Sequence, residues 1–204
     1  TWDSMLEDGK KLHAENPDYY YMNTDTKILC EYVLRPYLRQ MTGESFIIDS
    51  EKKMSFTRDQ LVEVLTYIKD CYDGGVFEPA EDSATFKGQI HTNPKWMDGK
   101  FVFAYGPSSS INLLMDAVPE AECIVVQMPM AKDRINDGFF ADTPQYMTVN
   151  KNSEHVEEAV DFLNYFYNSA EAQETLKDVR SIPPTSTARQ LCADKGLLNQ
   201  TCLL

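Results

Sequence analysis

The chain of 204 residues carries 19 Lys and Arg against 32 Asp and Glu, a formal charge of −13, with 43% hydrophobic and 25% charged residues. That length and apolar share suffice for a sizeable core and allow one large domain or two small ones. The acidic balance and the lack of a basic stripe argue against nucleic acid or an acidic membrane surface as a partner, because such binding needs clustered Lys and Arg.

Thr1 is placed to cap a helix reaching about Glu15, with Asp3 in its first turn and Trp2, Met5, Leu6, Gly9, Leu12 and His13 along one face. Asn16-Pro17 ends it. Residues 19–22 form a short aromatic strand, and Asn23-Thr24-Asp25 is the polar cluster of a strand-to-helix loop. The helix that follows carries Ile28, Leu29, Tyr32 and Val33 on one face, and Pro36 is expected to kink or end it. Residues 42–56 read as a surface excursion. Thr57 and Gln60 make a capping box for a helix with Leu61, Val64, Leu65, Ile68 and Tyr72 at helical spacing, closed by Gly74-Gly75.

Residues 77–94 hold too few apolar side chains to predict regular structure. Asp98-Gly99 is a turn dipeptide, and the apolar run 101–105 suits a strand buried on both faces. Gly106-Pro107 stops it, and Ser109 or Ser110 can cap a helix over 111–115. A second strand is expected at 123–127, a polar loop at 130–138, an extended segment at 139–149, and helices at 153–167 and from 169 to about 179. The first of these helices has the stripe Val156, Ala159, Val160, Leu163, Phe166 and Tyr167. Residues 181–184 are extended and turn-like.

No catalytic set assembles. His13, His91 and His155 are far apart, Ser108-Ser109-Ser110 lacks the G-x-S-x-G elbow, and the pairs Glu120/Glu122 and Glu157-Glu158 read as charge on solvated faces. Cys30, Cys71, Cys123, Cys192 and Cys202 show no C-x-x-C spacing, so they are expected as buried or free thiols. Their odd number sits awkwardly with an oxidising compartment. No metal or cofactor is implied. Tyr19, Tyr20, Tyr21, Trp96, Phe139, Phe140 and Tyr146 supply flat rings of the kind that stack on sugars, although most such rings pack in cores.

The pattern from Trp96 to Pro107 resembles the "aromatic, any, Asn/Asp, Gly, Lys, strand, Gly" segment of the extracytoplasmic solute-binding proteins of ABC importers, the family 1 group that includes maltose-binding protein. Thr1-Trp2-Asp3 with Lys10-Lys11-Leu12 is similar to the start of that family's second lobe. Gly138-Phe139-Phe140-Ala141, Asn152-Ser153, the run 159–163 and the run 169–173 are similar to its hinge strand and following helices.

The resemblance implies an α/β, periplasmic-binding-protein-like (type II) fold, a mixed sheet flanked by helices, with the first lobe largely outside this sequence. Residues 1–140 would form the second, C-terminal lobe, 141–180 the hinge strand and helices returning toward the first lobe, and 181–204 a return to the second. It further implies a bacterial receptor without enzymatic activity, extracytoplasmic and lipid-anchored when intact. Such a receptor captures a small polar solute, a sugar or oligosaccharide, between its lobes and delivers it to the transmembrane subunits of a permease. Three loops are then expected to form the site: Asn23, Thr24 and Asp25; Gly106, Ser108 and Ser109; and Phe139, Phe140 and Asp142. Ser108 stands where sugar-binding members often carry a tryptophan, which leaves the ligand class open. A carbohydrate-active enzyme or accessory binding domain and a plain interaction domain are the alternatives.

Overall fold

In the computed structural model, which describes residues 1–48, 50–139, 146–179 and 182–199, the chain divides into two units. The first comprises residues 1–106, 114–122 and 126–140, the second residues 107–113, 123–125 and 141–204.

The first unit opens with α1 (Trp2–Glu15), capped by Thr1, whose side chain accepts from the Ser4 N–H while the Ser4 side chain reciprocates. Then come β1 (Tyr20–Met22) and α2 (Thr26–Ile28). The helix expected to stop at Pro36 continues instead. From α2 it passes into a π-helical segment (Leu29–Leu34) and on into α3 (Arg35–Thr42), with Pro36 in the first turn of α3. Proline has no N–H to donate, and the wider π register accommodates the missing bond.

The excursion at 42–56 contains the antiparallel pair β2 (Ile47–Ile48) and β3 (Lys53–Met54), beside Phe46 and Phe56, whose rings lie 4.8 Å apart. Next is α4 (Arg58–Asp73), with the Thr57/Gln60 capping box in place. Residues 77–94, expected to be irregular, form α5 (Ala80–Thr85) and a 3-10 turn (Ile90–Thr92), organised by polar contacts that no apolar periodicity announces. The unit continues through α6 (Pro94–Met97) and the Asp98-Gly99 turn into β4 (Phe101–Phe103).

β1 and β4 are parallel, Tyr20 opposite Phe101 and Met22 opposite Phe103, and Phe77 forms a parallel bridge to Met22. β4 ends at Phe103, short of Tyr105, and buries one face only: Phe101 is inside while Val102 is exposed. No strand forms at 123–127 either, where Ile124 is 72% exposed. A β-forming run becomes a strand only beside a ladder partner, and none of the described strands pairs with it.

Trp2, Met22, Val33, Leu38, Val64, Val76 and Phe77 are the most enclosed apolar residues of this core. Each such burial is worth about 1.5–3 kcal/mol. Trp2 stacks on Tyr37 (5.1 Å, 6°) and meets Tyr67 edge-on at 5.7 Å. Its indole N–H donates to Gln40 Oε1 (2.8 Å), which also accepts from the Ala131 N–H (2.7 Å). Gln40 Nε2 donates to the carbonyls of Pro129 (3.0 Å) and Asp137 (3.1 Å), so one buried amide pins the 129–137 loop.

In the second unit a 3-10 turn (Ser108–Ser110) holds the serines expected to cap a helix and runs into α7 (Ile111–Asp116), whose residues 114–116 are counted with the first unit. The helices α8 (Val156–Asn168) and α9 (Ala170–Leu176) lie where the sequence places them. The further helix α10 (Ser186–Asp194), capped by Thr185, was not anticipated. Thr185 Oγ1 donates to the Tyr167 carbonyl (3.2 Å), and Lys195 pairs with Glu174, so α10 joins α8 and α9. Its interior is small: Ala172, Gln173, Ala188, Cys192 and Leu198. α8 has no fully buried residue; Val156, Val160, Phe162 and Tyr165 are exposed, and Ala159, Leu163, Phe166 and Tyr167 are half-buried.

Candidate ligand-binding site

Because β1 and β4 run parallel in register, the segments leaving their carboxyl ends, 23–25 and 104–106, depart side by side. The Phe77 bridge brings Glu78 to the same edge, where its N–H donates to the Met22 carbonyl (3.1 Å). In open α/β sheets ligands bind beyond such carboxyl ends.

Asn23, Thr24 and Asp25 are enclosed, at 0%, 1% and 4% exposure, and their side chains have internal partners. Asn23 Nδ2 donates to Glu78 Oε2 (2.5 Å), and the Thr24 and Tyr72 hydroxyls share a bond of 2.9 Å. Asp25 Oδ1 accepts from the Ile28 N–H (2.9 Å), capping α2, and Oδ2 accepts from the Gly88 N–H (2.8 Å). In this arrangement the three residues set the shape of the loop.

Glu78, only 1% exposed, is the hub beneath them. Its Oε2 also accepts from Ser83 Oγ and Asn93 Nδ2, both at 3.1 Å, and its Oε1 takes Lys95 Nζ at 2.7 Å. Lys95 reaches Asp82 as well (3.3 Å) and lies over the Tyr20 ring (5.2 Å). Burial works against the lysine's charge, but the Glu78 and Asp82 carboxylates outweigh it and raise its pKa. Sequence reading missed Glu78, because a lone carboxylate in an irregular stretch gives no periodic signal. The pointer was the apolar pair Val76-Phe77 running directly into it.

Two aromatic residues at this edge were also passed over as site residues. Tyr105, just before Gly106, stacks on Tyr32 of the π-helical segment, with centroids 6.0 Å apart and planes 19° from parallel. Burial raises the pKa of both phenols, with Glu31 adding to the effect on Tyr32.

Gly106, Ser108 and Ser109 are exposed, Gly106 in the first unit and the serines in the second. Gly138 has φ +76°, and a Cβ there would lie 2.7 Å from the Pro36 carbonyl oxygen, so only glycine lets this turn sit against α3. Phe139 is 52% exposed next to it. Phe140 and Asp142 lie outside the described residues. A pocket of about 390 Å³ opens elsewhere in the first unit, with Trp2, Tyr37, Met41 and Met130 among its lining, and holds none of the residues expected at the site. Among the described residues no group of three His, Cys, Asp or Glu is placed to hold a metal ion.

A family model described as bacterial extracellular solute-binding protein matches residues 1–196. The chain belongs to that family. Its structure is similar to that of a periplasmic oligogalacturonide binding protein from Yersinia enterocolitica, solved in complex with saturated digalacturonic acid. The two are 25% identical with a TM-score of 0.85, over 98% of this chain and 50% of that one. A de novo designed cysteine esterase is also 25% identical, with a TM-score of 0.79 over 98% and 49% of the two chains. A family 1 extracellular solute-binding protein from Alicyclobacillus acidocaldarius, 19% identical, shares the fold, with a TM-score of 0.71 over 100% and 49%. No curated protein sequence matches the chain.

This solute-binding chain therefore spans about half the length of the solved structures it matches, and its fold is the α/β periplasmic-binding architecture. The family acts outside the cytoplasm. Cys30, Cys71, Cys123 and Cys192 are nonetheless free thiols in this member.

Proposed function

We propose that this chain is part of an extracytoplasmic receptor of an ABC importer, which captures a small polar solute, a carbohydrate, and hands it unaltered to the permease. Within the family membership just described, the observation that carries this reading is the parallel β1/β4 pair, which brings the 23–25 and 104–106 loops out together at one sheet edge. Support for the ligand class comes from the likeness to the digalacturonate-bound protein. The residues proposed to line the site are Gly106, Ser108, Ser109, Phe139, Phe140 and Asp142, with Asn23, Thr24 and Asp25 as their inner support. Residues 1–140 belong to the second lobe in this reading, and the exposed side of α8 faces the part of the protein that this chain does not span.

The test is calorimetric titration of the chain with saturated digalacturonic acid, maltose and cellobiose, followed by mass spectrometry of the recovered sugar. Binding of at least one sugar, recovered unchanged, is expected. A chemically altered sugar would overturn the receptor reading in favour of a carbohydrate-active enzyme, and binding of none would overturn the carbohydrate assignment.

A further inference from the structure

We infer that the cavity lined by the starts of α1 and α4 is a second binding site, one that takes a small organic cation: an ammonium or guanidinium head on a short apolar stem. All of its lining lies in the first unit, and none of it belongs to the site expected for the transported solute.

The cavity holds about 390 Å³ and combines an apolar lining with a charged one. The apolar part is Trp2, Tyr37 and Ala131, which are buried, with Met41 and Met130, which are half-buried. These walls come from segments far apart in the chain and are tied together. The Trp2 indole N–H and the Ala131 N–H share Gln40 Oε1, and the Trp2 backbone N–H donates to the Met130 carbonyl (3.2 Å). A cavity whose walls are fixed in advance loses little freedom when a ligand enters.

The charged part is the exposed carboxylates of Asp3, Glu63 and Asp133 against the one ammonium of Lys132. Negative charge in excess beside apolar surface selects a cation that also has an apolar stem. Tyr37 gives a second, independent sign. It is only 8% exposed, yet its hydroxyl has no hydrogen-bond partner among the described residues. Burial raises its pKa, and Glu63 and Asp3 raise it further, which places the hydroxyl end of the ring toward those two lining carboxylates and keeps its proton on. Buried polar groups are ordinarily paired, and this oxygen has lone pairs free to accept an ammonium or guanidinium N–H.

Other ligand classes fit less well. Among the described residues no three carboxylates converge closely enough for a metal ion, so the charge is spread for something larger. An anion would seek free N–H groups at the start of α1, but those of Trp2 and Ser4 are already bonded to the Met130 carbonyl and the Thr1 side chain.

The test is calorimetric titration of the chain with agmatine, which carries an ammonium and a guanidinium on a short alkyl stem, and with uncharged 1,4-butanediol. Saturable binding of agmatine and none of the diol is expected. Glu63→Gln and Asp133→Asn, isosteric changes at exposed positions, should each raise Kd about fivefold, the upper scale for a solvent-exposed ion pair. Tyr37→Phe keeps the stack on Trp2, loses only the hydroxyl and should raise Kd about threefold. Glu171→Gln removes the same charge from an exposed position on α9 in the second unit and should leave Kd unchanged. Failure of agmatine to bind saturably would overturn the inference. So would equal Kd values for Glu63→Gln, Asp133→Asn and Glu171→Gln, because the cation would then be held by the overall charge of the chain and not by this cavity.

Discussion

The two units solve the problem of burial differently. In the first, a tryptophan, a phenylalanine and several branched residues are enclosed, and a polar hub of Asn23, Glu78, Ser83, Asn93 and Lys95 is satisfied inside. In the second, the enclosed residues are mostly small, and the longest helix, α8, leaves Val156, Val160, Phe162 and Tyr165 in solvent. Apolar content alone does not make a core. What distinguishes the first unit is that its large side chains meet each other, whereas α8 has no fully buried residue. Local stability follows contact density, so the two units should open at different cost.

Substitutions can break that comparison. The largest effect should come from Trp2→Ala, which removes an indole stacked on Tyr37 and bonded to Gln40. A loss of about 3–5 kcal/mol in chemical denaturation is expected, as for other buried aromatics. A loss below 1 kcal/mol would mean that the first unit is no more tightly knit than the second.

Glu78→Ala comes next. It strips a buried carboxylate from two amide donors, a hydroxyl and a lysine. Breaking a buried charged hub by deleting one partner typically costs about 3–5 kcal/mol, and because Lys95 keeps partial access to water the lower end is expected. Equilibrium unfolding in urea, followed by tryptophan fluorescence, measures it.

The smallest effect on stability should come from Val160→Ser on the exposed side of α8, within about 0.5 kcal/mol of the unaltered chain. Sedimentation should nonetheless show less self-association. An unchanged association state, or a large loss of stability, would contradict an uncovered α8 face.

What the sequence revealed was mostly local. The Thr1 cap, the Thr57/Gln60 box and the positions of α8 and α9 follow from capping chemistry and helical spacing, which act within a few residues. Three features escaped it because partners distant in sequence decide them. Pro36 looked like a stop, but the helix absorbs it by changing register. Residues 123–127 had strand composition without a ladder to join. Asn23 and Asp25 looked like outward hydrogen-bonding groups, yet their partners at Glu78 and Gly88 lie more than fifty residues away in the chain. The placement of Gly106 and Tyr105 at a sheet edge was partly legible, since a strand followed by Gly-Pro predicts a carboxyl end. That Tyr32 would lie against Tyr105 was not.

The Gln40 clamp also dictates an order of assembly. Its amide bridges to residues 89, 91 and 97 positions further along the chain. Closing loops of that length is entropically slow and cannot begin until the distant segment exists. During synthesis, therefore, α1 and α3 must wait for the 129–137 loop to be made before the underside of Trp2 is sealed. For a protein destined to leave the cytoplasm, that late closure would keep the first unit open, and so threadable through a membrane channel, until the 129–137 loop has been made.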